Sequence, residues 1–167
     1  MRKNKLVVAC ILAATLLAGC NPTYNWREHT SRDGGYTVLF PAKPSSFARP
    51  IELDGLRVQM TMTAAEVDGA TFAVGSATAP DAARARAALP AMRRALLRNI
   101  GAGGDAAPAG QDGLRVEALG AGNGQPLRLS GRFEARGERF YQVIVLGKAG
   151  ATPDEEIEQF LTSFKPH

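Results

Sequence analysis

Histidine and cysteine are almost missing from this sequence: His29, His167, Cys10 and Cys20 are all it holds. A zinc site built from the usual histidine and cysteine ligands has too few donors to assemble. A Ser-His-Asp or Cys-His device would have His29 as its one realistic base, since His167 is the last residue. Carboxylates cluster in Asp154-Glu155-Glu156, but a helix start accounts for them. Acid–base chemistry by two carboxylates is left open by the spacing and marked by nothing in it. The expectation is a non-enzymatic protein with no metal and no cofactor. Long apolar runs are lacking too. The longest uncharged apolar stretch, residues 6–19, falls short of the roughly 20 residues that a spanning helix needs.

That short stretch has another use. Arg2, Lys3 and Lys5 precede an apolar segment from Leu6 to Leu17, and Ala18-Gly19 follow as small residues, the pattern of a secretory signal. Leu17-Ala18-Gly19-Cys20 resembles the lipobox of bacterial lipoproteins. The resemblance implies cleavage before Cys20, a diacylglyceryl group on its thiol and a further acyl chain on the new amine. One chain binds a bilayer marginally and two or more hold it stably. Asn21, standing where such lipoproteins carry aspartate for inner-membrane retention, implies the periplasmic face of the outer membrane. The expected organisation is a signal over 1–19, a tether over 20–32 and one domain over 33–167. Trp26, the single tryptophan, suits either the lipid interface or a cap on the domain core.

Removing the signal changes the charge. Three of the twenty basic residues and none of the sixteen acidic ones lie in residues 1–19, which leaves a net +1. The basic balance therefore belongs largely to the targeting segment, and nucleic-acid binding does not follow from it. Cys10 leaves with the signal and lipid consumes Cys20. The remaining 148 residues (20–167) must be held by a hydrophobic core without a disulfide.

Asp33-Gly34-Gly35 is a turn, followed by a short strand Tyr36–Phe40 that Pro41 stops. Pro41, Pro44 and Pro50 mark an extended connection. From Ile51 to Val67 the sequence alternates as one half-buried strand, Leu56, Val58, Met60 and Met62 on one face, Arg57, Gln59, Thr61 and Thr63 on the other. Met60 and Met62 read as core packing or as a soft binding face. Asp68-Gly69 turns into a partner strand, Thr71–Thr78, with Phe72 and Val74 inward.

Pro80-Asp81 opens a helix to about Ile100, with Ala85, Leu89, Met92, Leu96 and Ile100 as its apolar stripe and a kink or break expected at Pro90. Arg84, Arg86, Arg93, Arg94 and Arg98 occupy the rest of the wheel. They are either a solvated face or a surface for lipid headgroups, an anionic polymer or an acidic partner, with Arg93, Arg94 and Arg98 the candidate partner-binding residues. A glycine- and alanine-rich loop, 101–110, follows, then strands Leu114–Leu119, Leu127–Ala135 and Glu138–Gly147. The run Phe140–Leu146 is the most apolar and reads as a central strand. Gly120–Gly124 is a hairpin loop, since no helix follows to make a phosphate cradle. The last helix has Thr152 as N-cap, Pro153 at N1 and Glu155 at N3 in a capping box, with Ile157, Phe160, Leu161 and Phe164 on one face.

Hairpin-length gaps make the class α+β: a single antiparallel sheet of about six strands with a long middle helix and a C-terminal helix packed on it. Asp33-Gly34-Gly35-Tyr36-Thr37-Val38-Leu39-Phe40-Pro41-Ala42-Lys43-Pro44 resembles the entry strand of small bacterial lipoproteins, and Phe160–Phe164 resembles their closing helix. That group is similar to the Mog1/PsbP-like fold, which implies binding or assembly-assisting roles without catalysis. The functional expectation is a lipid-anchored envelope protein that binds an envelope protein or an anionic polymer. The alternative is a carrier of a small molecule or lipid in a cleft between sheet and helix.

Overall fold

The computed structural model describes residues 23–102, 108–109 and 115–167. In chain order the elements are β1 (Arg27–Ser31), β2 (Tyr36–Phe40), β3 (Ser45–Leu53), β4 (Leu56–Val67), β5 (Ala70–Thr78), α1 (Ala82–Asn99), β6 (Pro108–Ala109), β7 (Arg115–Gly122), β8 (Gln125–Arg136), β9 (Arg139–Lys148), α2 (Asp154–Ser163) and β10 (Lys165–Pro166). The α+β class and the two helices match the expectation. The single sheet does not: the strands form a seven-stranded sheet, β3-β4-β5-β9-β8-β7-β6, and a separate three-stranded one, β1-β2-β10, with every pairing antiparallel. The reason lies in β2. Tyr36, Val38 and Phe40 are all buried, and they find their apolar surface face-on against the large sheet rather than edge-on within it.

Both faces of the large sheet are therefore covered, and β5 and β9 are buried on both. Alternate residues of β9 serve different cores. Phe140 and Ile144 join Met60, Met62, Leu129 and Phe133 under α1. Tyr141, Val143 and Val145 join Phe72, Val74, Phe160 and Phe164 under the small sheet and α2. The second core is mostly aromatic, with Phe72 edge-on to Phe160 at 5.4 Å and Phe164 edge-on to Tyr141 at 5.2 Å.

Five further differences from the expected elements have local causes. The alternating segment 51–67 is cut at Asp54-Gly55, where both residues take positive φ (49° and 86°) and close a two-residue hairpin between β3 and β4. Asp68-Gly69 and Asn123-Gly124 repeat that geometry. Pro50 is admitted to β3 because β3 is an edge strand. Helix α1 runs unbroken through Pro90, which lies on its exposed side where the carbonyl it leaves unbonded meets solvent. Its buried stripe is Ala85, Ala88, Ala91, Met92 and Leu97, with Leu89 and Leu96 only half-buried, so alanines set a close approach to the sheet. The N-cap of α2 is Pro153, with no side-chain cap bond, and Thr152 and Glu155 make no capping box. Two first-turn carboxylates are engaged across the fold: Asp154 accepts from Arg128 at 2.5 Å, and Glu156 accepts from the Trp26 indole N–H at 2.9 Å.

Trp26 thus sits on the domain, edge-on to Phe72 at 6.1 Å, and residues 27–31 of the expected tether are strand β1. Most of the expected loop 101–110, with Leu114, lies outside the described residues. No helix among the described residues is long and apolar enough to cross a membrane. The alanine stripe makes a test. Ala85→Leu should destabilise the protein by about 1–3 kcal/mol in urea unfolding through overpacking, whereas Ala87→Leu, on the exposed side, should leave the midpoint nearly unchanged.

Candidate functional site

Cys20 and the rest of the lipobox lie outside the described residues. The three candidate arginines lie on α1 but do not form one bare cationic patch. Arg94 is bound to Asp54 of the β3–β4 turn at 2.5 Å, Arg93 is half-buried, and Arg98 is exposed in the last turn, where the helix dipole favours a cation. The exposed Arg94–Asp54 pair contributes on the order of 0–1 kcal/mol to stability but offsets the charge of Arg94. Beside it, a recess of about 350 Å³ lies between the β3–β4 hairpin and α1, lined by Leu53, Leu56, Arg84 and Ala88. Elsewhere the space between sheet and α1 is filled by Met60, Met92, Leu129, Phe133 and Phe140.

The larger cavity is on the other face of the sheet. It is an open cleft of about 740 Å³, and its floor follows from strand alternation. Directly paired residues share a face. Ser46 opposes Thr63, Thr61 opposes Ser76, and Thr78 opposes Arg139, so all of these lie on the small-sheet side. Arg57 and Gln59 continue the same row of β4. The small sheet covers only half of this face. Where its aromatic contacts end, the uncovered floor is a field of hydroxyls from β3, β4 and β5. His29, Thr30 and Ser31 of β1, with Asp33 and Gly34 of the following turn, form the wall.

The wall is fixed by the turn. Gly35 takes φ 65°, and its carbonyl accepts from the His167 backbone N–H at 2.8 Å. The Tyr141 hydroxyl donates to the carbonyl of Gly34 at 2.9 Å and reaches that of Gly35 at 3.3 Å. A Cβ on Gly34 would stand 2.7 Å from Ser31 Oγ and 2.7 Å from the Tyr36 ring, so this position requires glycine. At the inner end of the cleft, burial pushes the Tyr36 phenol above its ordinary value, while the neighbouring Thr63 and Ser31 hydroxyls pull it back in part. Burial also raises the Tyr141 phenol. Both phenols are therefore neutral donors at physiological pH.

His29 packs edge-on to Phe40 at 5.7 Å, and burial lowers its pKa below the ordinary 6.5. Among the described residues it makes no hydrogen bond to a serine or threonine. No group of three or more metal-ligating side chains occurs among the described residues. This arrangement can hold and orient a polar ligand. Sequence reasoning did not find the cleft. Its signal was the row Arg57, Gln59, Thr61, Thr63, read as a solvent face, and the wall above it depends on β1, which was read as tether.

No protein family, curated protein or solved structure matches this chain.

Two outcomes follow from this geometry. Tyr141→Phe should cost about 1–2 kcal/mol in chemical unfolding, because buried carbonyls lose their donor, and Gly34→Ala should cost at least as much through the two 2.7 Å clashes. His29, neutral when folded, makes the unfolded chain the stronger proton binder between its lowered folded pKa and 6.5. Its contribution should be complete above pH 6.5 and decline as pH falls through the folded value. Its NMR titration should fall below 6.5, and His29→Gln should flatten that part of the stability profile.

Proposed function

We propose that this chain is a lipid-anchored binding protein of the bacterial envelope, non-enzymatic, held at the periplasmic face of the outer membrane through Cys20, with the polar cleft as its binding site. The observation that carries the reading is where the cleft lies relative to Tyr24 and Trp26, the first aromatic residues after the lipobox cysteine in sequence. Only residues 21–23 separate Cys20 from Tyr24, which stacks on Trp26 and meets Phe72 edge-on. At about 3.3–3.6 Å per residue, this link reaches little beyond 10 Å. It would hold the Trp26 end of the domain against the bilayer. Strand β5 begins at that end with Ala70 and Phe72 and reaches the cleft with Ser76 and Thr78. Its nine residues span roughly 25 Å, so the cleft opens on the side away from the lipid.

The same placement favours a polar partner over an apolar cargo. A lipid carrier using a cleft between sheet and helix would need a cavity where the side chains under α1 now pack. The Mog1/PsbP-like resemblance of the Asp33–Pro44 segment supports the same non-catalytic class. Its strand, β2, is here the centre of the small sheet. The anchor is testable in a bacterial host. Radiolabelled palmitate should enter the wild-type full chain and sediment with membranes, and Cys20→Ser should abolish both. An unlabelled wild type, or a Cys20→Ser protein still bound to membranes after salt washing, would sink this reading.

A further inference from the structure

Within the cleft, three side chains of two paired strands stand out. Ser76 is 7% exposed, lines the floor, and its hydroxyl has no hydrogen-bond partner among the described residues. The hydroxyl itself is reached by the solvent of the cleft, so it is available to donate to and accept from a ligand atom. Thr78 lies two residues on, on the same face, and Arg139 is its cross-strand partner. The Arg139 guanidinium lies against Gly35, where a Cβ would come within 2.8 Å of it, and no carboxylate among the described residues is within 4 Å. The other arginine of the lining is not in this state: Arg57 is paired with Glu52 at 3.0 Å.

We propose that the cleft binds a carboxylated saccharide, its carboxylate on Arg139 and its hydroxyls over Ser76, Thr78 and Thr61. The proposal rests on the binding role above and adds the ligand class. A guanidinium presents parallel N–H donors that match a planar carboxylate. Serine and threonine hydroxyls each donate and accept, as sugar hydroxyls do, so a field of them can pair with a polyol without leaving a donor or acceptor stranded. The charge on the lining argues for a monoanion. Asp33 stands on the facing wall, His29 is uncharged, and only one guanidinium is uncompensated, so a phosphate dianion would meet repulsion without a second free cation. The volume of about 740 Å³ is in the range of specific small-ligand sites.

The test uses the full chain in detergent micelles, titrated calorimetrically with glucuronate, glucose, acetate and inorganic phosphate. Saturable binding of glucuronate is expected, about tenfold or more tighter than glucose, with acetate and phosphate weaker than either. Arg139→Gln should bring glucuronate down to the glucose level. Ser76→Ala should weaken both sugars and keep the preference between them. If Arg139→Gln melts at a lowered temperature, Thr78→Val is the substitute, and it should weaken glucuronate while the fold is retained. Equal binding of acetate or phosphate would make the cleft a simple anion site and overturn the proposal, as would equal binding of glucose or no binding of glucuronate. Cys20→Ser protein should titrate like wild type, so the outcome is read independently of whether the chain takes up palmitate.

Discussion

The Tyr141 hydroxyl reaching the carbonyls of Gly34 and Gly35 joins the two sheets at the point where their surfaces diverge. Tyr141 belongs to the central strand of the large sheet, and the two glycines to the turn between β1 and β2 of the small one. On one side of this clasp lies the aromatic core of Tyr36, Phe40, Phe72, Phe160 and Phe164. On the other the sheets part and the hydroxyl floor is uncovered. Strand β2, the C-terminal β10 and the backbone of His167 all converge on the same turn. The cleft is thus where dense packing stops, and the turn that bounds it is tied down from three directions.

Burial of the large sheet on both faces sets the rest. A strand covered on one side alternates apolar and polar residues, and one covered on both is continuously apolar. Strand β9 is of the second kind. Strand β4 is mixed: Met60 and Met62 face α1, Ala65 and Val67 face the second core, and Arg57, Gln59 and Thr61 extend past the small sheet into the cleft. The polar row that floors the cleft is therefore the unburied half of a strand whose other half is core.

Much of this was legible beforehand, and the misses share a cause. The strong periodicities placed α1, α2 and the strands β5, β8 and β9, and Phe140–Leu146 declared its central position by composition. Asp54-Gly55 carried a turn-into-strand phrase, but it was not used to divide the strand, because Leu56, Val58, Met60 and Met62 sustained an alternation taken to begin at Ile51. Strand β1 was missed because Arg27–Ser31 carries no apolar residue and is a strand only through its pairing with β2. The arginines of α1 drew attention as sequence neighbours, while Arg94 is offset by Asp54, forty positions away. The candidate site has the same character. Ser76, Thr78 and Arg139 come from distant segments, and only the β5–β9 register brings them together.

Proline 50 has a consequence beyond its tolerance in β3. The Leu53–Leu56 pair closes a two-residue hairpin, so hydrogen-bonded pairs alternate from there, and Ser46, Ala48, Pro50 and Glu52 turn their backbone groups to the open edge. Proline lacks the N–H that the middle of that edge would otherwise offer, and Phe47, 55% exposed, stands close by. An uninterrupted β3 would be a template for strand-to-strand assembly of neighbouring copies. The missing donor at residue 50 interrupts it, which makes this edge a poor template for pairing with another strand.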